Sequence, residues 1–320
     1  MPRLATQYRQ QMPQIPRDST QCLTLAHLSD PHLTTLQHLG LRDLAGKRLL
    51  GYLSWQRRRQ YIHRPQRLAR LCQDLLAQQP DHILVSGDLT QLGSDAELRQ
   101  ARAWLTDLGP PLDVTVVPGN HDCYTVASHA LLRHHWREFL QSDLPPVDVQ
   151  PETNQHSGFP LLRRRGPVDL IGLDSAIATG CTQATGRLGD AQLARLHQQL
   201  VASAAAGQFR LLAIHHPPQP GVVSRRKRLV DAAALAAVLR QTGAELILHG
   251  HSHHVGLSHW CGVPMVGISS ASSVSQQAEA MAAYHLIRVE KQAAGRWQLA
   301  IQRRRMDADG AARIEQLDGL

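Results

Sequence analysis

Residues 244–254 read AELILHGHSHH and combine a buried-strand pattern with a dense group of imidazoles. The apolar run ends at Leu248, and His249, His251, His253 and His254 follow it. Short apolar runs that are closed by polar or turn-forming residues are typical of buried strands. In open α/β sheets, ligands bind beyond the carboxyl ends of the strands. The stretch therefore predicts a strand that delivers polar side chains to a site.

The same pattern recurs along the chain and predicts an α/β fold. Further strands are predicted at 23–30, 82–88, 113–122, 168–174 and 210–218, and helical spacing of Leu and Ala lies between them at 66–79, 94–108, 190–205 and 229–242. This alternation is typical of βαβ units whose sheet is covered on its faces. Near the end, strands at 263–272, 282–290 and 296–306 follow one another without helices. The last two predict a hairpin, and hence an antiparallel edge on a mixed sheet.

Metal-binding side chains follow five of these strands. They are Asp30 and His32, then Asp88, then Asn120, then His215, and finally His251 and His253. Nitrogen and oxygen donors without thiolate suit divalent ions such as Mn, Fe or Zn. Seven donors are too many for one tetrahedral ion, but two ions that share a carboxylate would use them all. Asp88 is the natural bridge, because a carboxylate has two oxygens to share.

The order of these motifs resembles the calcineurin-like metallophosphoesterase superfamily. The motifs are DxH (Asp30, His32), GD (Gly87, Asp88), GNHD (residues 119–122), a lone His (His215) and GHxH (residues 250–253). The resemblance covers approximately residues 23–306 and is closest to the bacterial class III cyclic-nucleotide phosphodiesterases. It implies a four-layer α/β/β/α sandwich with mixed sheets. It also implies hydrolysis of phosphodiester bonds by attack of a metal-bridging hydroxide.

The resemblance further implies which residues act at the centre. One ion would take Asp30, His32, Asp88 and His253, and the other would take Asp88, Asn120, His215 and His251. His121 would lie over the scissile phosphate as a catalytic group beside Asp88. The ions would be Mn²⁺, Fe²⁺/Fe³⁺ or Zn²⁺. His215 is favoured over His216, which points the opposite way on extended chain, although the choice between them stays open here.

Positive charge is concentrated in one segment, residues 41–73. The segment contains nine basic residues and one acidic residue, and the formal charge of the whole chain is +8. Leucine and aromatic side chains interleave with Arg57, Arg58 and Arg59. The composition fits an anionic membrane surface, a phosphate-rich substrate or a nucleic-acid backbone. An equally good interpretation is that the segment packs its apolar side on the sheet and leaves its basic side in solvent.

The predicted organisation is an N-terminal tail at 1–20, a catalytic domain at 21–306 with the basic insertion at 41–73 near the site, and a C-terminal tail at 307–320. No apolar run reaches the length of about 20 residues that spans a bilayer, and no signal-peptide pattern is present. Five scattered cysteines indicate free thiols. We therefore expect a cytoplasmic protein, peripheral at the inner membrane face under the membrane interpretation.

The sequence favours a dinuclear phosphodiesterase that acts on a small phosphate ester, such as a 3′,5′-cyclic nucleotide. The alternative within the enzyme class is a membrane-associated pyrophosphatase or phosphoesterase on a lipid-linked or nucleotide-sugar substrate such as UDP-2,3-diacylglucosamine. A nuclease and a non-catalytic scaffold are weaker alternatives, and nucleic acid is an unfavoured partner. A homodimer is an open expectation.

Overall fold

A computed structural model gives the helices and strands of most of the chain. The described residues are 21–33, 36, 40, 44, 46–143, 158–307 and 311–317. The predicted N-terminal tail, residues 1–20, lies outside them. No helix within these ranges is long and apolar enough to span a membrane.

The regular elements alternate along the chain much as the periodicity predicts. The strands are β1 (Cys22–Leu28), β2 (His82–Val85), β3 (Val114–Val116), β4 (Leu161–Arg165), β5 (Val168–Leu173), β6 (Phe209–Ile214), β7 (Leu246–His249), β8 (Gly256–Trp260), β9 (Val263–Gly267), β10 (Ala283–Lys291), β11 (Trp297–Met306) and β12 (Ala312–Gln316). The helices are α1 (Lys47–Ser54), α2 (Pro65–Ala77), α3 (Asp95–Leu108), α4 (Val126–Trp136), α5 (Asp190–Ala205) and α6 (Ala232–Thr242). Short helical turns lie at Trp55–Arg59, Gln60–Ile62, Arg137–Leu140, Ala278–Ala280 and Ala293–Gly295.

Two mixed sheets form the centre of the fold. The first has the order β12-β11-β10-β1-β2-β3, and the second has the order β4-β5-β6-β7-β9-β8. In the first sheet β1, β2 and β3 run parallel, while β10 pairs antiparallel with β1 and with β11. The predicted hairpin and antiparallel edge are thus confirmed.

Three layers of buried side chains hold the sheets and helices together. Between the sheets lie residues such as Leu25, Leu211 and Leu248. Helices α2, α3 and α4 cover the outer face of the first sheet through residues such as Leu71 and Trp136. Helices α5 and α6 cover the second sheet. The expected α/β/β/α sandwich is therefore confirmed, with apolar side chains on both faces of each sheet.

Two features of the chain differ from the expectations. The predicted C-terminal tail is partly ordered, because residues 312–316 form β12 and pair with β11. Glu315 explains the pairing, since it lies 3.2 Å from Arg303 and also contacts Arg305 on the neighbouring strand. Helix α4 was not predicted, although Thr125 caps it by accepting a hydrogen bond from Ser128 N.

The first sheet buries an imidazole pair within its strands. His285 on β10 pairs with His27 on β1, and their ring centroids lie 5.8 Å apart. Among the described residues, neither ring nitrogen of His285 has a hydrogen-bond partner. Burial, together with the charges of Arg303 and His249, lowers the pKa of His285 to about 3. His285 is therefore neutral in the folded protein at neutral pH.

We expect the protein to lose stability as the pH falls below 6.5, and His285→Leu to reduce that loss. The unfolded chain takes up a proton at His285 near its ordinary pKa of 6.5, whereas the folded chain resists protonation down to about 3. The folded state is thus penalised as the pH falls through this window. At about pH 5 the penalty for this histidine is about 2 kcal/mol. The measurement is the free energy of unfolding in urea, with EDTA present, at about pH 7 and about pH 5.

The control is His259→Leu, because His259 is exposed on β8. That variant should keep the wild-type dependence of stability on pH. If His285→Leu lost as much stability between the two pH values as the wild type does, the buried neutral imidazole would not be a source of acid sensitivity.

Candidate metal centre

Five loops, three from the first sheet and two from the second, converge on one site. The loops after β1, β2 and β3 carry Asp30, His32, Asp88, Asn120 and His121, and those after β6 and β7 carry His215, His251 and His253. The sequence pattern suggested one sheet, but the donors come from two. The carboxyl ends of strands in both sheets therefore point to a common centre.

The side chains form two groups that could each hold a metal ion. In the first, one ligand atom each from Asp30, His32, Asp88 and His253 lies within 4.8 Å of the others. In the second, the same holds for Asp88, His215 and His251. Asp88 belongs to both groups. The site thus has the donors for a pair of ions that share one carboxylate.

Hydrogen bonds orient the histidine rings toward this centre. His32 Nδ1 lies 3.1 Å from the carbonyl of Thr90, and His215 Nδ1 lies 2.7 Å from the carbonyl of Ser86. His251 instead uses Nε2, which lies 3.0 Å from the Lys227 carbonyl. Because a carbonyl only accepts, each of these nitrogens carries the proton, and the other ring nitrogen offers its lone pair. This is the tautomer that a metal ligand requires.

Asn120 also fits a metal ligand. Its Oδ1 is buried and has no hydrogen-bond partner among the described residues. A buried carbonyl oxygen of this kind costs free energy unless something binds it. A cation is a group that would satisfy such an oxygen.

The backbone is in an unusual conformation at most of these residues. Of the seven non-glycine residues with positive φ in the described chain, five are candidate ligands. They are Asp30 (52°), His32 (42°), Asp88 (56°), His251 (64°) and His253 (57°). Such conformations cost about 1–3 kcal/mol each and persist where the surroundings enforce them. Strand β7 ends at His249, so the strand pattern of residues 244–254 does not extend to His251 and His253.

Glycine is required where the loops meet most closely. A Cβ at Gly119 would lie 2.8 Å from Asp88 Cγ and would overlap both Oδ1 and the backbone nitrogen of Asp88. A Cβ at Gly250 would overlap Ser29 and Asp30 in the same way. Both glycines allow a neighbouring loop to pass directly against a candidate carboxylate ligand.

Electrostatic pairing keeps the two buried carboxylates ionised. Burial alone would raise the pKa of Asp30, but the charge and hydrogen bond of His253 outweigh it and lower that pKa. Asp88 shows the same balance, with the charge and hydrogen bond of His215 as the main opposing effect. Burial lowers the pKa of His215, but the charge of Asp88 outweighs it and raises that pKa to about 9, so without a cation Nε2 carries a proton toward Asp88 that a bound metal ion would displace. The site thus combines anionic carboxylate oxygens with imidazole nitrogens as donors.

Asp122 joins two of the ligand loops. Its Oδ1 accepts a hydrogen bond from Thr90 N, and its Oδ2 accepts one from Gly119 N, both at 2.9 Å. Burial and the charge of Asp88 raise its pKa to about 7. The carboxyl group therefore fixes the loop after β2 to the loop after β3.

His121 lies beside the shared carboxylate. Its backbone N–H donates to Asp88 Oδ1 at 2.7 Å, and its Nδ1 lies 2.6 Å from the Gln91 carbonyl. Burial, and next the charge of Arg59, lower the pKa of His121 to about 4. The ring is consequently neutral and protonated at Nδ1.

Three other histidines near the centre, His216, His249 and His254, lie outside the two donor groups. His216 is buried with Nδ1 2.7 Å from Ser175 Oγ, and it lies outside both groups, whereas His215 belongs to one. His249 is buried with Nδ1 3.0 Å from the Gly250 carbonyl, and His254 is exposed.

Two neighbours of the centre come from the basic insertion: His63, which was not singled out from the sequence, and Arg59, which was named only as one of three arginines in the insertion. His63 forms a third possible donor group with His32 and His253. Arg59 contacts the ring of His121. The only signal in the sequence was the position of the insertion between two ligand loops, which does not tell which of its many basic residues turns inward.

The family model for calcineurin-like phosphoesterases matches residues 23–255. The chain is 29% identical over 258 residues to a cAMP/cGMP dual specificity phosphodiesterase of Mycobacterium tuberculosis (strain CDC 1551 / Oshkosh), with 79% of this chain and 68% of the relative covered. It is 26% identical over 244 residues to the glycerophosphodiester phosphodiesterase GpdQ of Enterobacter lignolyticus (strain SCF1), with 74% and 73% covered.

Among solved structures the chain is similar to GAP50, the anchor in the inner membrane complex of Plasmodium. The TM-score is 0.50 at 12% identity, with 93% of this chain and 89% of that chain covered. At this identity the similarity shows the fold alone.

We expect Gly119→Ala to reduce metal binding. The added methyl group would displace the Asp88 carboxylate, which belongs to both donor groups. Metal retained after loading with Mn²⁺ and gel filtration, measured by atomic emission, tests this. The matched control is Gly180→Ala, because nothing lies within 4 Å of the Cβ position there. Equal metal content in Gly119→Ala and the wild type would contradict the role of Asp88 in holding metal.

Proposed function

The chain belongs to the calcineurin-like phosphoesterase family of metal-dependent phosphoric ester hydrolases, and we propose that it hydrolyses small-molecule phosphodiesters at a two-metal centre. The observation that carries this proposal is the pair of donor groups that share Asp88. We assign Asp30, His32, Asp88 and His253 to one ion, and Asp88, Asn120, His215 and His251 to the other. The ions would be Mn²⁺, iron or Zn²⁺, since the donors are imidazole and oxygen.

The charge of the proposed centre suits an anionic substrate. When bound, two divalent cations lower the pKa of a water held between them and neutralise charge on phosphoryl oxygens. The protein supplies only two carboxylates, Asp30 and Asp88, against five neutral donors. Asn120 contributes an oxygen without a negative charge. A net positive centre of this kind attracts a phosphodiester anion.

The surrounding residues prepare the site for in-line attack. The His121 backbone holds one oxygen of Asp88, which leaves the other oxygen directed toward His215. The neutral His121 ring lies beside the same carboxylate and is placed to contact a phosphoryl or leaving-group oxygen. No serine or cysteine needs to form a covalent intermediate, because water is the nucleophile.

The finer proposal for the substrate is a 3′,5′-cyclic nucleotide. It is supported by the similarity to the mycobacterial dual specificity phosphodiesterase. Glycerophosphodiesters are the comparison substrates, because the protein from Enterobacter carries that name. The two classes share the phosphodiester bond and differ in the groups that flank it.

We expect the Mn²⁺-loaded protein to hydrolyse bis(p-nitrophenyl) phosphate, and Asp88→Asn to lower kcat/KM at least about 100-fold. The amide would remove the charge that both donor groups share. The control is Asp107→Asn, an exposed aspartate on α3, which should keep wild-type activity. Rates for cyclic AMP, a glycerophosphodiester and UDP-2,3-diacylglucosamine then identify the substrate class. Failure of the wild type on every ester would overturn the proposal.

One feature favours a second candidate, a lipid-linked substrate taken from a membrane surface. Leu49, Leu50 and Leu53 on α1 are 46%, 55% and 38% exposed, and Arg57 and Arg58 are exposed one turn later. Exposed leucines beside arginines match the interface of an anionic bilayer. We propose that α1 makes this peripheral contact. The homodimer expected from the sequence stays a prediction.

We expect the wild type to sediment with anionic liposomes and the Leu49→Glu/Leu50→Glu variant to remain in the supernatant. The substitutions replace apolar contact by like-charge repulsion. Leu112→Glu is the control, since Leu112 is 69% exposed but lies outside the basic insertion. Equal sedimentation of all three proteins would exclude a membrane contact through α1.

A further inference from the structure

We propose that Arg59 is a substrate-binding residue whose guanidinium binds a non-bridging oxygen of the substrate phosphoryl group. The inference rests on the proposed function and adds a residue that none of the ligand motifs contains. Arg59 is the last residue of the π-helical turn Trp55–Arg59, in the insertion between the first two ligand loops. Turns of this type often occur at functional sites.

The guanidinium lies against the ring of His121. Arg59 Nη1 is 3.2 Å from His121 Nδ1 and 3.3 Å from His121 Nε2. Because Nη1 is almost equally far from the two ring nitrogens, the guanidinium lies against the imidazole and not on the axis of one nitrogen lone pair. The backbone of His121 in turn donates to Asp88. One residue therefore separates the Arg59 charge from the carboxylate that both donor groups share.

The start of the insertion is anchored so that Arg59 has a fixed position. Arg48 donates to the carbonyls of Leu92 and Gly93 at 3.1 and 2.9 Å. Trp55 is buried in a small apolar cluster with Leu92 and Tyr124. These contacts hold α1 and the following turn directly on the loop after β2.

The far end of the turn is anchored as well. His63 N donates to the Arg59 carbonyl at 3.0 Å, and His63 Nδ1 lies 2.9 Å from Ser272 Oγ. The ring of His63 also packs on His32, with ring centroids 4.3 Å apart. A side chain that leaves a turn held at both ends is preorganised for binding.

The guanidinium lacks the partner that such a group normally has. Within the described ranges, no carboxylate lies at ion-pair distance from half-buried Arg59, and the side chain that its guanidinium contacts is the imidazole of His121. By contrast, Arg304 makes two hydrogen bonds of 2.8 Å to Asp74. A partly desolvated guanidinium without a carboxylate is complementary to a phosphate anion, which its planar donors bind well.

Inorganic phosphate is the probe, and its affinity for the Mn²⁺-loaded protein is measured by calorimetry. Arg59→Ala should raise the Kd for phosphate about 10- to 100-fold, because it removes one charged hydrogen bond to the anion. KM for bis(p-nitrophenyl) phosphate should rise as well, while metal content stays unchanged. Added guanidinium ion should restore part of the phosphate affinity. Arg99→Ala, at an exposed arginine on α3 outside the insertion, should match the wild type.

A structural role for Arg59 predicts a different result. Arg59→Gln keeps most of the side-chain length, so it provides the comparison if Arg59→Ala unfolds. The inference is overturned if the folded variants bind phosphate within twofold of the wild type, or if guanidinium restores nothing. Hydrolysis by the wild type with no effect of Arg59 would overturn this inference alone. Phosphate binding that depends on Arg59, without hydrolysis of any ester, would overturn the proposed function alone.

Discussion

The architecture depends on the position of one carboxylate, that of Asp88 at the end of β2. Asp88 has a left-handed backbone, receives a hydrogen bond from His121 N, and packs against Gly119 so closely that no side chain fits between them. His215 approaches it from the other sheet, at 3.3 Å. The sandwich must therefore bring strand ends of two separate sheets to within contact distance of one buried charge. The apolar layer between the sheets fixes that distance.

The free-energy cost of this arrangement is visible in the polar groups around it. Five candidate ligands adopt positive φ, and carboxylates and imidazoles are buried together. Backbone carbonyls of Ser86, Thr90 and Lys227 hold three of the rings in place. A folded domain tolerates such local strain when many apolar contacts support it, and here apolar layers cover both faces of each sheet.

Short-range patterns predicted the alternating strands and helices and the residues that follow the strands, whereas the two-sheet sandwich was implied only by the resemblance to the calcineurin-like family. Apolar runs mark strands, and polar residues after them mark a common edge. The basic insertion was noted as a possible phosphate-binding segment, but the inward direction of Arg59 was not predicted, since it results from a π-helical turn and the anchoring of α1, neither of which has a local signature. The strand β12 was missed for a similar reason: its pairing depends on Glu315 meeting arginines on β11. The left-handed backbone at His251 and His253 is likewise imposed by tertiary contacts.

The distribution of the donors along the chain has a consequence for biosynthesis. Asp30 and His253 are 223 positions apart, yet their side chains lie 3.0 Å from each other. Strand β1 also pairs with β10, which comes still later in the chain. A nascent chain on the ribosome has neither donor group complete until the segment after β7 has emerged. Capture of metal by the finished centre is therefore a late event, after translation of nearly the whole domain, and fragments that end before this segment cannot assemble it.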